Sequence, residues 1–244
     1  MNYRDKFYSK YISTHTAYFS GEISLGQIKK QFPVWRRYFG RFLPKDKNTT
    51  LIDLGCGTGG FVYWLQQIGY QNSEGIDISV EQIAATKKLG INHIQQADLI
   101  EFLSDKSNVY DAVFMRDVIE HFPKEKIIDV LEQIYRSLKI GGVVVIQTPN
   151  AESPFSGRFR YGDFTHEVSL GEGSIRQVLR MSNFNNIKVF PTRPVIHGLK
   201  SFVRAILWRG IELILQLYLL IETGSVKGIF TQNLIARAKK TPIQ

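Results

Sequence analysis

A glycine-rich segment that follows a short apolar run constrains the fold of this chain more than any other feature. Residues 51–60 read LIDLGCGTGG, with an acid inside the run and three glycines spaced by two. The pattern predicts a buried strand, a tight turn and the start of a helix, because glycine lets the backbone pass close to a ligand where a Cβ would clash. A phosphate-binding loop would need a lysine that is missing here, and the order differs from the dinucleotide fingerprint G-x-G-x-x-G.

Alternating strand and helix patterns surround this segment. They predict a parallel sheet with helices on both faces, and Gly141 and Gly142 are expected to end the last long helix. Pro33 is expected to open a helix through residues 34–39, since proline is tolerated in a first turn. The predicted strands are 51–54, 73–77, 91–95, 110–115, 142–147, 186–190 and 232–238, and the predicted helices are 59–68, 80–88, 99–103, 123–138 and 175–181.

The composition narrows the class of protein and its partners. A chain of 244 residues suits one α/β domain with additions. Its single cysteine, Cys56, cannot form an internal disulfide, which fits a reducing compartment, and it is expected to be a small packed residue rather than a nucleophile. The polar residues 1–5 lack an apolar signal core, so the expected location is cytoplasmic. A net charge of +9 favours an anionic partner or is simply that of a basic soluble protein. Nucleic acid is an unlikely partner, because no dense Lys/Arg run with interleaved aromatics is present.

The pattern D-x-G-x-G-x-G at residues 53–59 resembles motif I of the class I S-adenosylmethionine-dependent methyltransferases. The segments 75–79, 110–115 and 138–146 resemble further parts of that family and occur in its order. The resemblance implies an α/β fold, a Rossmann-like seven-stranded sheet whose last strand is antiparallel. It further implies a helical cap over residues 1–44 and an S-adenosylmethionine-binding methyltransferase domain over residues 45–244.

The same resemblance implies which residues hold the cofactor. Asp53 would organise the glycine loop, Asp77 would accept hydrogen bonds from the ribose hydroxyls, and Asp98 would meet the adenine amine or cap a helix. Arg37 would meet the cofactor carboxylate, or is a surface charge. The full predicted set is Arg37, Asp53, Gly55, Cys56, Gly57, Gly59, Asp77, Ile78, Asp98, Leu99 and Arg116.

Histidines are the candidates for acid–base chemistry. His121 follows the fourth predicted strand and would remove a hydroxyl proton or orient a loop. His166, in the polar segment 161–167, is a second candidate base. His15 is a candidate from the cap, with an exposed loop histidine as the alternative.

A divalent metal is an alternative use of the same segment. Asp117, Glu120, His121 and His166 resemble the metal site of small-RNA 2′-O-methyltransferases. Mixed oxygen and nitrogen ligands suit Mg²⁺ or Mn²⁺, which would lower the pKa of an acceptor hydroxyl. Glu-His after the fourth strand also occurs in relatives that resemble ubiquinone-type O-methyltransferases, so the metal stays one of two interpretations.

A helical insert over about residues 195–230 separates the last two predicted strands, where this family usually has a short hairpin. Its helix-length segment 199–221 has an apolar half and a polar half, and the polar side chains argue against a spanning helix. Three interpretations remain open: a helix packed on the domain, a membrane-surface helix supported by Trp208 and the basic balance, or a homodimer interface. The polar half contains Lys200, Arg204, Arg209, Glu212 and Gln216.

The expected reaction is transfer of a methyl group from S-adenosylmethionine to oxygen. Residues 148–150 followed by 162–167 resemble methyltransferases of polysaccharide biosynthesis. They favour a sugar hydroxyl on a bacterial surface glycan or its lipid-linked precursor, with contact at the inner face of the membrane. The alternatives are a phenolic quinone precursor, another small molecule, or a non-catalytic cofactor-binding assembly partner.

Overall fold

The computed structural model describes residues 3–16 and 23–242, without the side chains of residues 5, 15 and 16. The His15 prediction therefore lies outside the described side chains. Seven strands form one sheet in the order β3-β2-β1-β4-β5-β7-β6, with β7 antiparallel to both neighbours. This confirms the predicted seven-stranded class I methyltransferase sheet. The strands are β1 Leu51–Leu54, β2 Ser73–Asp77, β3 Ile94–Gln96, β4 Tyr110–Arg116, β5 Leu138–Pro149, β6 Asn185–Pro191 and β7 Asn233–Lys239.

Helices cover both faces of this sheet, as predicted. One face packs against an aromatic cluster that contains Phe39, Phe61, Trp64 and Phe114, and the other packs against aliphatic residues of later helices. The α-helices are α1 Tyr3–Tyr8, α2 Leu25–Phe39, α3 Gly60–Gln67, α4 Val80–Lys88, α5 Leu99–Leu103, α6 Ile127–Ser137, α7 Ser156–Arg160, α8 Glu172–Met181 and α9 Leu199–Thr223. A π-helical turn at Ile12–Thr16 and 3₁₀ turns at Gly40–Phe42, Ile119–His121 and Lys124–Lys126 complete the described elements.

The register of β1 sets the position of the site. All four of its residues are buried, and Asp53 lies opposite Gly75 of β2 and Phe114 of β4. Because these three strands are parallel, their carboxyl ends meet at one edge of the sheet, where ligands bind in open α/β folds. The loops after β1, β2 and β4 are therefore brought together.

Two predicted boundaries are wrong. Strand β5 begins at Leu138 rather than at residue 142, because Leu138 already pairs with Tyr110 of β4, and the long helix ends at Ser137, within one residue of its predicted end. Gly141 has a φ of 86° and lies inside the longer strand β5, at an irregularity in its pairing with β4. Pro33 lies inside α2 rather than at its start: Ser24 caps that helix by accepting from the N–H of Gln27 at 3.3 Å. Burial of Ile28 and Phe39 on the apolar face of α2 offsets the loss of the backbone hydrogen bond that the proline cannot make.

The predicted helical insert forms α9, but this helix buries little of its surface against the domain. Only Ser201 and Glu212 are buried along its 25 residues. The Glu212 carboxylate faces inward because it pairs with Arg193 at 2.8 Å and Arg209 at 2.6 Å. The helix therefore meets the domain along a narrow face only, and its apolar half, which the interpretation of a helix packed on the domain would bury, is exposed. Within residues 3–16 and 23–242, no helix, α9 included, is long and apolar enough to cross a membrane.

Candidate active site

A cavity of about 550 Å³ opens where the carboxyl ends of β1, β2 and β4 meet. The glycine loop after β1 forms its floor, and one face of α2 and the N-terminal aromatic residues form its walls. Of the predicted cofactor residues, the cavity is lined by Gly55, Cys56, Gly57, Asp77, Ile78, Asp98, Leu99 and Arg116, and it is also lined by the candidate base His121.

The three alternate glycines of the loop are required by its backbone. Gly55, Gly57 and Gly59 have φ values of 70°, 57° and 73°, which side chains of L-residues rarely allow. A Cβ on Gly55 would lie 2.3 Å from Cγ2 of Val118. Gly59 caps the start of α3 instead of lining the cavity. The loop can therefore approach a ligand closely only with this sequence.

Asp77 connects the ends of β1 and β2. Its Oδ2 accepts from the N–H of Gly57 and its Oδ1 from the N–H of Ser79, both at 2.8 Å. Burial raises the pKa of this carboxyl, and the two backbone donors oppose the rise. Each carboxylate oxygen has a second lone pair, so the side chain is fixed in place and can still accept from ligand hydroxyls.

Asp53 lies outside the cavity lining but forms an ion pair with Arg116, which lines it. It is completely buried behind the cavity wall, and its carboxylate pairs with the Arg116 guanidinium at 2.9 Å. The guanidinium carbon lies 4.3 Å from the ring centre of Phe61 and 5.5 Å from that of Trp35. These contacts hold a positive charge at the cavity wall, where it can meet an anionic group of a ligand.

Two of the predicted cofactor contacts, Arg37 and Asp98, differ in whether they reach the cavity. Arg37 is exposed and lies outside the cavity lining, because the residues of α2 that line it, from Gln27 to Trp35, follow the opposite face of the helix. Asp98 lines the cavity, but its Oδ1 also caps α5 by accepting from the N–H groups of Ile100 and Glu101 at 2.8 and 3.1 Å. Both of the alternatives considered for Asp98 are compatible with this position.

Cys56 is a buried residue of the glycine loop. Burial raises the pKa of its thiol well above the ordinary value, and the nearby Asp53 and Asp77 charges raise it further. A thiol that stays protonated is a poor nucleophile, which agrees with the packed role predicted for it.

A chain of hydrogen bonds fixes His121. Its Nδ1 lies 2.9 Å from the hydroxyl of Thr165, which donates to Oδ1 of Asp163 at 2.6 Å. Tyr11 donates to the other carboxylate oxygen of Asp163 at 2.6 Å. Since the single hydroxyl proton of Thr165 goes to Asp163, the threonine oxygen accepts a proton from Nδ1. The Nε2 atom of His121 therefore carries the lone pair.

The charges of this chain suit proton transfer. Burial, together with the neighbouring His166, lowers the pKa of His121 to about 4, so the imidazole is neutral near pH 7. Although burial opposes it, hydrogen bonds from Thr165 and Tyr11 lower the pKa of Asp163 to about 2. A neutral imidazole is thus aligned by an ionised carboxylate through one hydroxyl, so its lone pair can accept a proton, although the lowered pKa makes it a weaker base than an ordinary histidine.

Three of the four predicted metal ligands come together. One ligand atom from each of Glu120, His121 and His166 lies within 4.8 Å of the others. Glu120 is 1% exposed; its Oε2 accepts from Thr148 at 3.0 Å, and its Oε1 has no hydrogen-bond partner among the described residues. Burial and the charge of Asp117 raise the pKa of Glu120 well above the ordinary value. A cation at this position would ionise Glu120 and occupy its bare oxygen, so the three side chains fit a divalent metal.

Asp117 lies outside this group, which corrects the predicted four-ligand set. Its carboxylate accepts from the side-chain amides of Gln147 at 2.7 Å and Asn233 at 3.2 Å. His166 lies behind His121, with ring centres 4.7 Å apart, and its Nδ1 faces the carbonyl of Phe159 at 2.8 Å. It does not line the cavity, so His121 is the better placed of the two candidate bases.

The sequence predicts an N-terminal cap packed over the cofactor site, but it did not single out the residues of that cap that line the cavity. Tyr8 and Tyr11 lie with ring centres 6.2 and 6.5 Å from that of His121, and both line the cavity together with Arg4. The available signal was the density of aromatic residues before residue 20. That signal predicts a packed segment and does not show which strand end it covers.

These features define the class of protein: an open α/β fold with a ligand cavity at the carboxyl ends of its strands and a neutral histidine in the cavity wall. A family-wide profile described as "Methyltransferase domain" matches residues 28–189, about two thirds of the chain. The chain belongs to this family of methyltransferases.

Individual relatives agree with that assignment. The chain is 30% identical to phosphoethanolamine N-methyltransferase 2 of Caenorhabditis elegans over 132 residues, which are 51% of this chain and 28% of the relative. It is 29% identical over 120 residues to a tRNA U34 carboxymethyltransferase of Actinobacillus succinogenes, covering 47% and 36%. The chain thus spans about a third of the length of these curated relatives.

Solved structures show the same fold. A SAM-dependent methyltransferase from Archaeoglobus fulgidus superposes with a TM-score of 0.68 at 23% identity. The match covers 94% of this chain and all of the other. Because the identity is low, the likeness extends to the fold alone.

Proposed function

We propose that this chain transfers a methyl group from S-adenosylmethionine to a hydroxyl oxygen, with His121 as the general base. The observation that carries the proposal is the neutral imidazole at the cavity wall, whose Nδ1–H is held by Thr165 and Asp163. A hydroxyl is a weak nucleophile until its proton leaves, so a fixed proton acceptor has a clear role. An amine that is already neutral needs no such base.

The cavity residues fit the cofactor. Asp77 has lone pairs for both ribose hydroxyls, and the glycine loop leaves room that a Cβ would fill. Arg116 lines the cavity and would meet the carboxylate of the methionine portion with the part of its guanidinium that Asp53 leaves free, and Asp98 would meet the adenine amine. When bound, the cofactor supplies an electrophilic methyl group. The remaining task is alignment, which contributes up to about 7–11 kcal/mol in favourable reactions.

The proposed acceptor is a sugar hydroxyl of a surface glycan or its lipid-linked precursor. The support is the resemblance of residues 148–150 and 162–167 to methyltransferases of polysaccharide biosynthesis, together with the position of Thr165 beside His121. Tyr8, Tyr11 and Phe122 give the cavity an aromatic wall that suits the C–H face of a sugar ring. A phenolic quinone precursor would fit the same wall and is the second candidate.

A metal-assisted version of the reaction is favoured by one observation, the unpartnered Oε1 of Glu120. Glu120, His121 and His166 would then hold Mg²⁺ or Mn²⁺, which lowers the pKa of a bound hydroxyl. In that version His121 binds the ion and does not itself remove the proton. The two versions are separated by adding Mn²⁺ or a chelator to the same assay.

The test has a binding step and a transfer step. Isothermal titration with S-adenosylhomocysteine should show micromolar binding that is lost in Asp77→Ala. Transfer of labelled methyl groups is then measured to a glycan, a lipid-linked oligosaccharide, a phenolic quinone precursor and phosphoethanolamine. His121→Asn should keep cofactor binding and lose transfer, whereas His93→Asn, at an exposed left-handed position, should keep both.

The outcomes distinguish the proposals. Methylation of phosphoethanolamine alone would refute the hydroxyl acceptor. Cofactor binding with no transfer to any acceptor would favour the assembly-partner alternative. Absence of cofactor binding would refute the assignment of the cavity itself.

A further inference from the structure

The helix α9 presents an unusual surface. At a rise of about 1.5 Å per residue, its 25 residues form a rod about 37 Å long. The rod meets the domain along a narrow stripe of buried and half-buried side chains at Ser201, Ala205, Trp208, Glu212 and Leu219. This spacing of three, four and seven residues defines one helix face, so the opposite face points to solvent.

The outward face is apolar. Leu213, Ile214 and Leu217 expose 64%, 69% and 57% of their surface, and Leu207 and Ile221 expose 63% and 79%. Single exposed leucines are ordinary, but a continuous stripe of them marks an interaction surface. The outward face of α9 therefore needs a partner that shields it from water.

Positive charges border this apolar face. On a wheel of about 100° per residue, Lys200 and Arg204 lie on one side of it and Arg209 on the other. Of the two acids in residues 193–227, Glu212 is buried in its ion pairs, which leaves Glu222 as the exposed one. The border consequently has an excess of positive charge.

Arg37 extends the positive border onto α2. The hydroxyl of Tyr38 donates to the carbonyl of Arg193 at 2.8 Å, which ties α2 to the segment before α9. Arg37 is exposed and precedes Tyr38 in the chain, so it lies next to this tie between α2 and the segment before α9. The residue first considered for the cofactor thus belongs to the surface beside α9.

We propose that the outward face of α9 docks on an anionic lipid surface, with its apolar side chains among the acyl chains and Arg37, Lys200, Arg204 and Arg209 against the headgroups. A second copy of the chain would cover the apolar residues, but it would bring the two positive borders together. Anionic lipid satisfies the apolar face and the charged border at once. The proposal goes beyond methyl transfer and does not depend on the identity of the acceptor.

The experiment is co-sedimentation of the full chain with vesicles. Binding is compared between phosphatidylcholine alone and an equimolar mixture with phosphatidylglycerol, at low and high salt. We expect binding to the anionic vesicles that weakens several-fold in high salt, because the headgroup contacts are screened. We expect the triple change Leu213→Gln, Ile214→Gln and Leu217→Gln to weaken it by at least about tenfold.

Matched controls separate docking from folding. Ile140→Gln with Met181→Gln changes two apolar residues, each 66% exposed, away from α9 and should leave vesicle binding unchanged. Lys200→Glu with Arg204→Glu should remove the preference for anionic lipid. Far-UV circular dichroism and thermal unfolding of each variant check that the fold is kept.

Two results would overturn the proposal. One is the absence of wild-type protein from the anionic vesicle pellet. The other is a stable dimer in light scattering that the triple change dissociates, which would assign the face to a second copy. Titration with S-adenosylhomocysteine without vesicles reports on the cofactor site separately, so failure of one proposal is distinguishable from failure of the other.

Discussion

Replacing Gly55 by alanine tests the geometry of the glycine loop at its tightest point. The new Cβ meets two obstacles, a backbone φ of 70° and the side chain of Val118 at 2.3 Å. Gly90 supplies the matched control, because its φ is 68° and nothing lies within 4 Å of its Cβ position. Gly90→Ala therefore measures the backbone cost alone.

The two obstacles have separate magnitudes. A left-handed conformation costs an alanine about 1–2 kcal/mol. Overpacking against Val118 adds about 1–3 kcal/mol, since the valine must move or the loop must shift. We therefore expect Gly90→Ala to lower the free energy of unfolding by about 1–2 kcal/mol and Gly55→Ala by about 2–5 kcal/mol.

Urea denaturation of a double-mutant cycle isolates the clash. Val118→Ala removes the methyl group that the new Cβ would meet, so the combined variant should be more stable than the sum of the single changes by about 1–3 kcal/mol. Val118 also lines the cavity, so Gly55→Ala should weaken S-adenosylhomocysteine binding. Equal losses in Gly55→Ala and Gly90→Ala, or strict additivity in the cycle, would refute the reasoning.

Three further changes test other parts of the structure. Asp53→Asn leaves Arg116 without its buried partner and should destabilise the fold by about 3–5 kcal/mol in urea denaturation; a loss below 1 kcal/mol would mean that the pair is not needed. Asp98→Ser should keep the helix cap and the unfolding free energy but weaken S-adenosylhomocysteine binding, because serine is too short to reach the adenine; unchanged affinity would leave Asp98 with the capping role alone. Gly173→Ala, inside α8 with open space around it, should raise the melting temperature through a gain of about 0.5–1 kcal/mol.

The sheet was predictable because its strands have local signals. Strands β1 and β2 have the predicted bounds, since each lies beside a recognisable sequence signal: β1 runs directly into the glycine loop, and β2 ends at the acid Asp77. The start of β5 was not predictable in the same way. Leu138 pairs with Tyr110 of β4, and Gly141 and Gly142 exchange backbone hydrogen bonds with Lys240; such sequence-distant partners leave no trace in the local pattern.

The residues that line the cavity were predictable where their role depends on backbone conformation within a motif. They were less predictable where the role depends on which way a side chain points. The left-handed glycines and Asp77 follow from position in the motif. Arg37 was assigned by residue type, and its direction depends on how α2 lies on the sheet, which places it on the side away from the cavity. The same limit applies to Tyr11, whose partner Asp163 is 152 positions away in the chain.

The pKa shifts of the carboxyl groups near His121 could not be predicted from the sequence either, because they depend on burial and on hydrogen bonds to distant residues. Asp163 and Glu120 are both carboxyl side chains near His121, yet hydrogen bonds lower the pKa of Asp163 while burial raises that of Glu120. Hydrogen bonding therefore favours the ionised form of Asp163, whereas burial favours the protonated form of Glu120. Residue type alone makes the two interchangeable. Their surroundings shift the two pKa values in opposite directions, and only the fold determines those surroundings.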